Sequence, residues 1–316
     1  MERDGWLRVE VRHLAALRAV AQEGSFGGAA TRLGYTQSAV SQQIATLERA
    51  VGERLVERPG GPRKISMTEA GTVLLRHAER IVAGMEAAWA DLEALASGGA
   101  GSVRVGTYQS VGARILPALM GRFVTEHPGV EVLLTESGSD RELLDQLERG
   151  EIDLSFTVLP LPDGPFEGVE LMRDPYVLMV AADHPLAEAG AAPELGALAD
   201  LSMIGFRHCI AGERTDEYLR SQGVHLQVVF RSDDNGTVQG LVGAGMAAAL
   251  VPLLAADLGD ERVAVLPMGE SVPERRIAIA WHRDRALSPA SRAFIEVTRA
   301  LCAELQPTVA VAAPAG

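Results

Sequence analysis

Apolar positions in the first hundred residues recur at helical spacing in four blocks. Residues 12–23 place Leu14, Leu17 and Val20 on one side of a helix. Behind Ser25, whose hydroxyl suits an N-cap, Phe26, Ala29, Ala30 and Leu33 give a second, short stripe. It stops at Gly34 and Tyr35, where glycine tolerates the positive φ that ends a helix. Thr36 can cap a third block, in which Val40, Ile44, Leu47 and Val51 fall at spacings of 4, 3 and 4. The opposite side of its first two turns carries Gln37, Ser38, Ser41 and Gln42 around Ala39. These polar side chains are uncharged and both donate and accept, as a helix reading base edges in a major groove requires. Phe26 to Ala45 thus reads as a helix-turn-helix. The fourth block starts at Thr68 and runs to about Ala96. Leu74, Ala78, Ile81, Met85, Ala88, Leu92 and Leu95 recur there at spacings of 4, 3, 4, 3, 4 and 3. That is the repeat of a coiled coil, and it predicts pairing with a second copy.

From Ser102 the pattern switches. VRVGTY, VEVLLTES, IDLSFTVL, YVLMVAAD and LSMIGF read as short buried strands, and LQVVFRSDD and RRIAIAWHRD continue the series. Amphipathic helical stretches such as ARILPALMGRFVTEH and SDRELLDQLERG alternate with them, which predicts an open α/β sheet. Between the helical head and this region, SGGAGS at 97–102 reads as a flexible hinge. Leu55 to Met67 holds Pro59, Gly60, Gly61 and Pro62 between short extended arms, a hairpin or wing flanked by Arg58, Arg63 and Lys64.

Charge sharpens this division. The 316 residues carry a net charge of −13. Residues 1–70 hold 10 basic and 8 acidic side chains; of the totals of 29 and 42, 19 basic and 34 acidic remain in 71–316. The acidic excess lies away from the head, and a weakly positive head needs two or four copies to sum its phosphate contacts. No apolar run is long enough to span a membrane and the charged N-terminus does not read as a secretory signal, so a cytoplasmic chain with no membrane partner is expected. Two cysteines, Cys209 and Cys302, make no disulfide framework.

Catalysis and cofactors find little support. Gly243, Gly245 and Ala248 fit a GxGxxA pattern but sit in a helical stretch ahead of a strand, the wrong order for a dinucleotide fold. The seven histidines show no metal-ligand spacing, and no Ser-His-Asp or Cys-His arrangement is evident. No catalytic residue, metal or cofactor is expected. Thr107, Tyr108, Gln109 and Ser110 follow the first α/β strand and lead into a helix, where hydroxyls and free amides suit a carboxylate. Thr157 follows IDLSF, and Phe206, Arg207, His208 and Cys209 follow LSMIG.

The wording from Gly24 to Gly71, GSF, AA, RL, TQSAVSQQI, LE, G, RL, ER and TEAG, resembles in register the N-terminal domain of LysR-type transcriptional regulators. Gly27 and Gly28 depart from it, standing where larger and often basic residues are usual, and so does Val56, where Phe is usual. The likeness extends through LP..M..F...HPGVEV, L..G.IDL, HPLA and LVGAGMAAALVP, similar to the family's effector domain. It implies a winged helix-turn-helix over 10–67, a linker and dimerisation helix over 68–97, and an effector domain over 102–306 of periplasmic-binding-protein type. In that domain one subdomain would hold 102–163 and 274–306 and the other 164–273; residues 307–316 read as a disordered tail. The expected partners are promoter DNA, a small-molecule effector, further copies in a homodimer or homotetramer, and RNA polymerase in the case of an activator. By the resemblance, Thr107, Tyr108, Gln109, Ser110, Thr157, Phe206, Arg207 and His208 line the effector cleft. Cys209 stands where peroxide-sensing members carry a reactive cysteine, and Arg207 and His208 beside it would lower its pKa. The position of a resolving cysteine is taken by Tyr218, which counts against a disulfide switch. A solute-binding protein would account for 102–306 but leaves the first hundred residues without purpose.

Overall fold

Local chemistry sets the helix boundaries of the head as the pattern requires. Ser25 Oγ accepts from the amide of Gly28 at 3.0 Å, and Thr36 Oγ1 accepts from the amide of Ala39 at 3.2 Å. Gly24, Gly34 and Gly52 close three helices with positive φ. These are α1 (Val11–Glu23), α2 (Phe26–Leu33) and α3 (Gln37–Val51). The computed structural model describes residue 6 and residues 9–57, 64–96, 101–189 and 193–305. Val56–Glu57 (β1) and Ser66–Met67 (β2) pair antiparallel, the two arms of the wing. Arg58 and Arg63, and the Pro-Gly turn between them, lie outside the described residues, as do part of the hinge, residues 97–100, and the tail over 307–316.

α4 (Glu69–Ala96) follows, with Thr68 Oγ1 accepting from the amide of Gly71 at 2.9 Å. Its heptad stripe does not serve one purpose. Leu74, Ala78 and Val82 are buried in the core of the head, against Leu17, Val20, Ile44 and Leu55. Ile81, Met85 and Leu92 are 47%, 55% and 66% exposed, Ala88 is exposed too, and Trp89 adds a ring 65% exposed. The expectation that all seven stripe residues face a partner is therefore corrected. Three turns of α4 are long enough to fold back on the head's apolar faces, which claim Leu74 and Ala78 before a second copy can. The side chain of Leu95 lies outside the described residues.

The chain divides into two compact units, one of Met1–Glu93 with Arg149–Glu151 and one of Ala94–Glu148 with Ile152–Gly316. The second unit contains two five-stranded sheets. The first is built from β3 (Gly101–Thr107), β4 (Val130–Glu136), β5 (Leu154–Leu159), β6 (Phe166–Asp174) and β12 (Arg275–His282), in the order β4-β3-β5-β12-β6. β4, β3 and β5 run parallel, while β12 runs antiparallel to both of its neighbours. Around it pack α5 (Gln109–Arg114), α6 (Leu116–Glu126), α7 (Asp140–Arg149) and α11 (Pro289–Glu304). The stretch expected as one helix from Ala113 to His127 is preceded and divided by a break at Ile115, because Pro117 disfavours a continuous helix through the residues before it.

The second sheet has the order β11-β7-β10-β8-β9, from β7 (Tyr176–Ala181), β8 (Ser202–Gly205), β9 (Gln227–Arg231), β10 (Ala248–Pro252) and β11 (Val263–Pro267). α8 (Pro185–Ala189), α9 (Ile210–Ser221) and α10 (Asn235–Gly243) accompany it, with one apolar cluster on each of its faces. Gly243 ends α10, and Gly245, at φ +73°, turns the chain into β10, so these glycines stand at the end of a helix ahead of a strand, the reverse of the dinucleotide-binding order.

One boundary differs from expectation. β6 pairs with β12 from Phe166 to Asp174, so the chain crosses to the second sheet between Asp174 and Tyr176 and not at residue 164. The polar content of FEGVELMRD hid this strand, and a register shift opposite Ile277 and Ala278 disturbs its alternation further.

Candidate functional site

Two surfaces carry the chemistry, one in each unit. In the head, Val40, Ile44, Leu47 and Val51 bury one side of α3, which turns Gln37, Ser38 and Gln42 fully outward and leaves Ala39 and Ser41 partly covered. Ser38 Oγ lies 3.0 Å from Thr36 Oγ1, beside the cap. Tyr35, 48% exposed, stands at the tip of the turn into α3; the sequence reading passes over it as a helix breaker. Lys64 is exposed at the base of the wing, and its aliphatic stem lies over Gly24, 3.2 Å from where a β-carbon there would sit. The outward face of α3 offers hydrogen-bonding groups, and no carboxylate stands among Gln37 to Gln43.

In the second unit, the cleft between the two sheets is organised by a buried ion pair. Arg275, heading β12, donates through Nε to Asp174 Oδ2 at 3.0 Å and through Nη2 to Ser110 Oγ at 3.1 Å. Its guanidinium lies 5.4 Å from the ring centre of Tyr108. Burial works against the charge of Arg275, and Asp174 more than offsets it, so the guanidinium is held above its ordinary pKa. Burial also pushes the Tyr108 and Tyr176 hydroxyls well above the ordinary phenol value, so both remain protonated. Asp140, the first residue of α7, accepts from the amide of Ile210 at 3.1 Å. Burial raises its carboxyl pKa against the opposing pull of Arg275 and of that amide. Gln109 binds Asp234 at 2.8 Å through Nε2 and accepts from the amide of Asn235 at 2.7 Å, so residues of both subdomains close the cleft around about 490 Å3, part of it open solvent.

The structure brings Tyr108, Gln109, Ser110, Phe206 and Cys209 to this cleft. Four expected residues stand off its lining. Thr107 is buried and its hydroxyl turns to the carbonyl of Tyr108 at 3.4 Å. Thr157 is fully buried within β5 with its hydroxyl unpartnered. The amides of Arg207 and His208 donate to Asp233 at 2.7 and 2.9 Å, the His208 ring meets the same carboxylate at 2.8 Å, and the Arg207 side chain goes to the carbonyl of Arg231. Burial of Asp233 is overcome by those amides, which hold its carboxyl below its ordinary value. Strand direction accounts for Thr107 and Thr157, since alternate side chains of β3 and β5 point to opposite faces and a one-position error removes a residue from the cleft, whereas Arg207 and His208 are drawn off by Asp233 and Arg231.

Cys209 reverses expectation. Burial, reinforced by Asp140, pushes its thiol up to about 11, while Arg207 and His208 are engaged with Arg231 and Asp233. A thiol held protonated is a poor nucleophile. Arg275, Asp174, Asp140 and Tyr176 were absent from the sequence-derived set. The signal available was a charged residue at each end of an apolar strand, in LMRDPY and PERRIAIAW. With Arg275 neutralised by Asp174, and Asp140 and Asp233 on the wall, this cleft is arranged for a hydrogen-bond donor more than for an anion. Among the described residues no group of three or more His, Cys, Asp or Glu is placed to hold a metal, and no helix is long and apolar enough to cross a membrane.

Comparison with known proteins gives concordant matches along the chain. Residues 11–72 match the model of the bacterial regulatory helix-turn-helix protein, lysR family, and residues 96–303 match that of the LysR substrate binding domain. The chain is 30% identical over 302 residues to the HTH-type transcriptional regulator CbbR of Rhodospirillum rubrum, covering 93% of this chain and 98% of that one. A cysteine variant of full-length OxyR from Pseudomonas aeruginosa aligns with a TM-score of 0.70 at 23% identity, over 93% of this chain and 98% of its own. Full-length CbnR in complex with its target DNA aligns with a TM-score of 0.63 at 24% identity, over 92% and 99%.

Proposed function

The chain belongs to the LysR family of DNA-binding transcriptional regulators, and from that premise we propose a ligand-responsive regulator that reads an interrupted palindromic promoter site as a dimer or tetramer. Gln37, Ser38, Ser41 and Gln42 read base edges, Ala39 packs close to the bases, and Arg58, Arg63 and Lys64 of the wing hold phosphates. Ile81, Met85, Ala88, Trp89 and Leu92 bring a second copy alongside α4. A small effector enters between the sheets at Tyr108, Gln109, Ser110 and Phe206, contacts both subdomains, and changes the angle between them. Linked through the oligomer, that change resets the spacing of paired heads on DNA. RNA polymerase is a further partner if the protein activates. No catalytic step is part of this reading, and the site of action is the cytoplasm.

The observation that carries it is the outward, uncharged face of α3 in a head matched over its whole length to a DNA-binding family model. The test is a gel-shift titration against the duplex upstream of the protein's own gene at several salt concentrations. The reading expects a retarded complex whose affinity falls steeply with salt, roughly as the power of the number of phosphates neutralised. A protein that binds small molecules yet ignores every duplex at low ionic strength would be a solute-binding module instead.

A further inference from the structure

The cleft between the two sheets has a small interior. Its water-accessible volume is about 40 Å3, room for about three waters or a ligand of about four heavy atoms. Two side chains in its wall are almost wholly buried, and each has unused hydrogen-bonding capacity. Asp140, 5% exposed, accepts from the amide of Ile210 through Oδ2, while Oδ1 meets no donor among the described residues and keeps solvent access. Ser110, 4% exposed, accepts from Arg275 Nη2, and its own proton has no acceptor among the described residues. The interior thus presents one open acceptor and one open donor, with Phe206, Pro252 and Ala255 as apolar surface beside them.

A net charge on the ligand is disfavoured here, whichever its sign. Arg275 is already neutralised by Asp174 and offers no uncompensated charge to an anion, which Asp140 and Asp233 also repel. An ammonium requires Asp140 ionised, which burial opposes, and it would share the cleft with the guanidinium of Arg275. A primary amide carries no charge, donates from its nitrogen and accepts at its oxygen. It therefore meets the Asp140 carboxyl in either protonation state, and the smallest such amides match the enclosed volume.

We propose that the ligand of this cleft is a small primary carboxamide, whose N–H donates to Asp140 Oδ1 and whose carbonyl oxygen accepts from the Ser110 hydroxyl. It takes the place of the carboxylate that the hydroxyls after β3 suggested. The short apolar end of the ligand lies toward Phe206 and Pro252, and a longer body must extend through the open mouth. Asp140 and Ser110 belong to α7 and α5 of one subdomain and Phe206 follows β8 of the other, so occupancy ties the two together. The inference rests on reading this cleft as the effector site and does not need DNA binding to hold.

The test uses the full-length protein without DNA and three probes of nearly equal size, 2-fluoroacetamide, fluoroacetate and 2-fluoroethylammonium, followed by fluorine NMR line broadening. Saturable broadening is expected for the amide, with affinity at least tenfold weaker for each charged probe. This order is read on the unaltered protein, so it stands even where a variant misfolds. Ser110→Ala removes the donor and Asp140→Asn replaces the open acceptor, and each should weaken the amide at least fivefold. Tighter or equal binding of fluoroacetate or 2-fluoroethylammonium, lost in the Ser110 and Asp140 variants, overturns the amide and leaves the cleft as the effector site. Absence of broadening by all three at millimolar concentration overturns both for ligands of this size. Wild-type affinity for the amide in both variants overturns its placement between Asp140 and Ser110.

Discussion

Arg275 and Asp174 stand 101 positions apart in the chain and meet as an ion pair, 5% and 0% exposed, at the place where both crossings between the sheets converge. Asp174 also accepts from the amide of Leu254 at 3.1 Å through its other oxygen, so the pair ties both crossing segments to the second sheet. Removing one partner strands the other charge in a dry site. Arg275→Met should therefore cost about 3–5 kcal/mol of the second unit's stability, measured by urea unfolding, and the double variant Arg275→Met, Asp174→Leu should regain most of it. A single variant within experimental error of the parent would show that water reaches the pair.

In the head, a β-carbon on Gly71 would lie 2.0 Å from the carbonyl oxygen of Leu55. Gly71→Ala must push α4 away from the segment before β1, an overpacking cost of roughly 1–3 kcal/mol. Gly27, by contrast, has nothing within 4 Å of its added β-carbon, so Gly27→Ala should be neutral or stabilising by up to about 1 kcal/mol. Thermal unfolding of both variants settles the contrast, and a harmless Gly71→Ala would be incompatible with the packing described.

Gln42 is exposed on the outward face of α3. Gln42→Ala should relax base preference by about 1–3 kcal/mol at one position in each half-site, read from a gel-shift series of single-base operator variants. A uniform loss on all duplexes would reassign Gln42 to the phosphate backbone.

Asp140 gives a pH dependence of opposite sign to that of a salt-bridged carboxylate. Burial raises its pKa in the folded chain above the ordinary 3.8, so the native state keeps a proton that the unfolded chain has released. Stability from this group is present at low pH and is lost as pH rises from about 3.8 through the folded value. Asp140→Asn retains an oxygen for the Ile210 amide and removes the titration. It should be at least as stable as the parent at pH 7 and show a flatter stability profile above pH 4 in urea titrations across that range. A steeper profile in the variant would contradict this assignment.

Met85→Glu places a charge in the exposed stripe of α4 without touching the head's core. Sedimentation should show dissociation of the oligomer at concentrations where the parent is associated, with the thermal transition of the head unchanged. Leu74→Glu, whose side chain is buried, should instead unfold the head.

The elements of the head were legible because each is set by neighbours in sequence. Ser25 and Thr36 cap helices three residues on, Gly34 ends one, and Val40 to Val51 face one way because 3.6 residues make a turn. The strands of the α/β region were legible for the same reason where they are uniformly apolar, as in YVLMVA, and not where charges interrupt them, as in β6. Of the cleft, sequence reasoning reached the residues just after strand ends, Tyr108 to Ser110, Phe206 and Cys209.

Sequence alone thus determined the local geometry: capped helices, an uncharged outward face on α3, a heptad stripe, and the alternation of apolar strands with helices. Tertiary structure decided which half of that stripe is spent on the head's own core, to which sheet the strand ending at Asp174 belongs, and that Asp174, Arg275 and Asp140 share one dry cleft. The reason is the range of the forces involved. Caps and periodicity act within a turn or two of chain, whereas burial and charge pairing depend on which distant segments exclude water together, and only the folded arrangement specifies that.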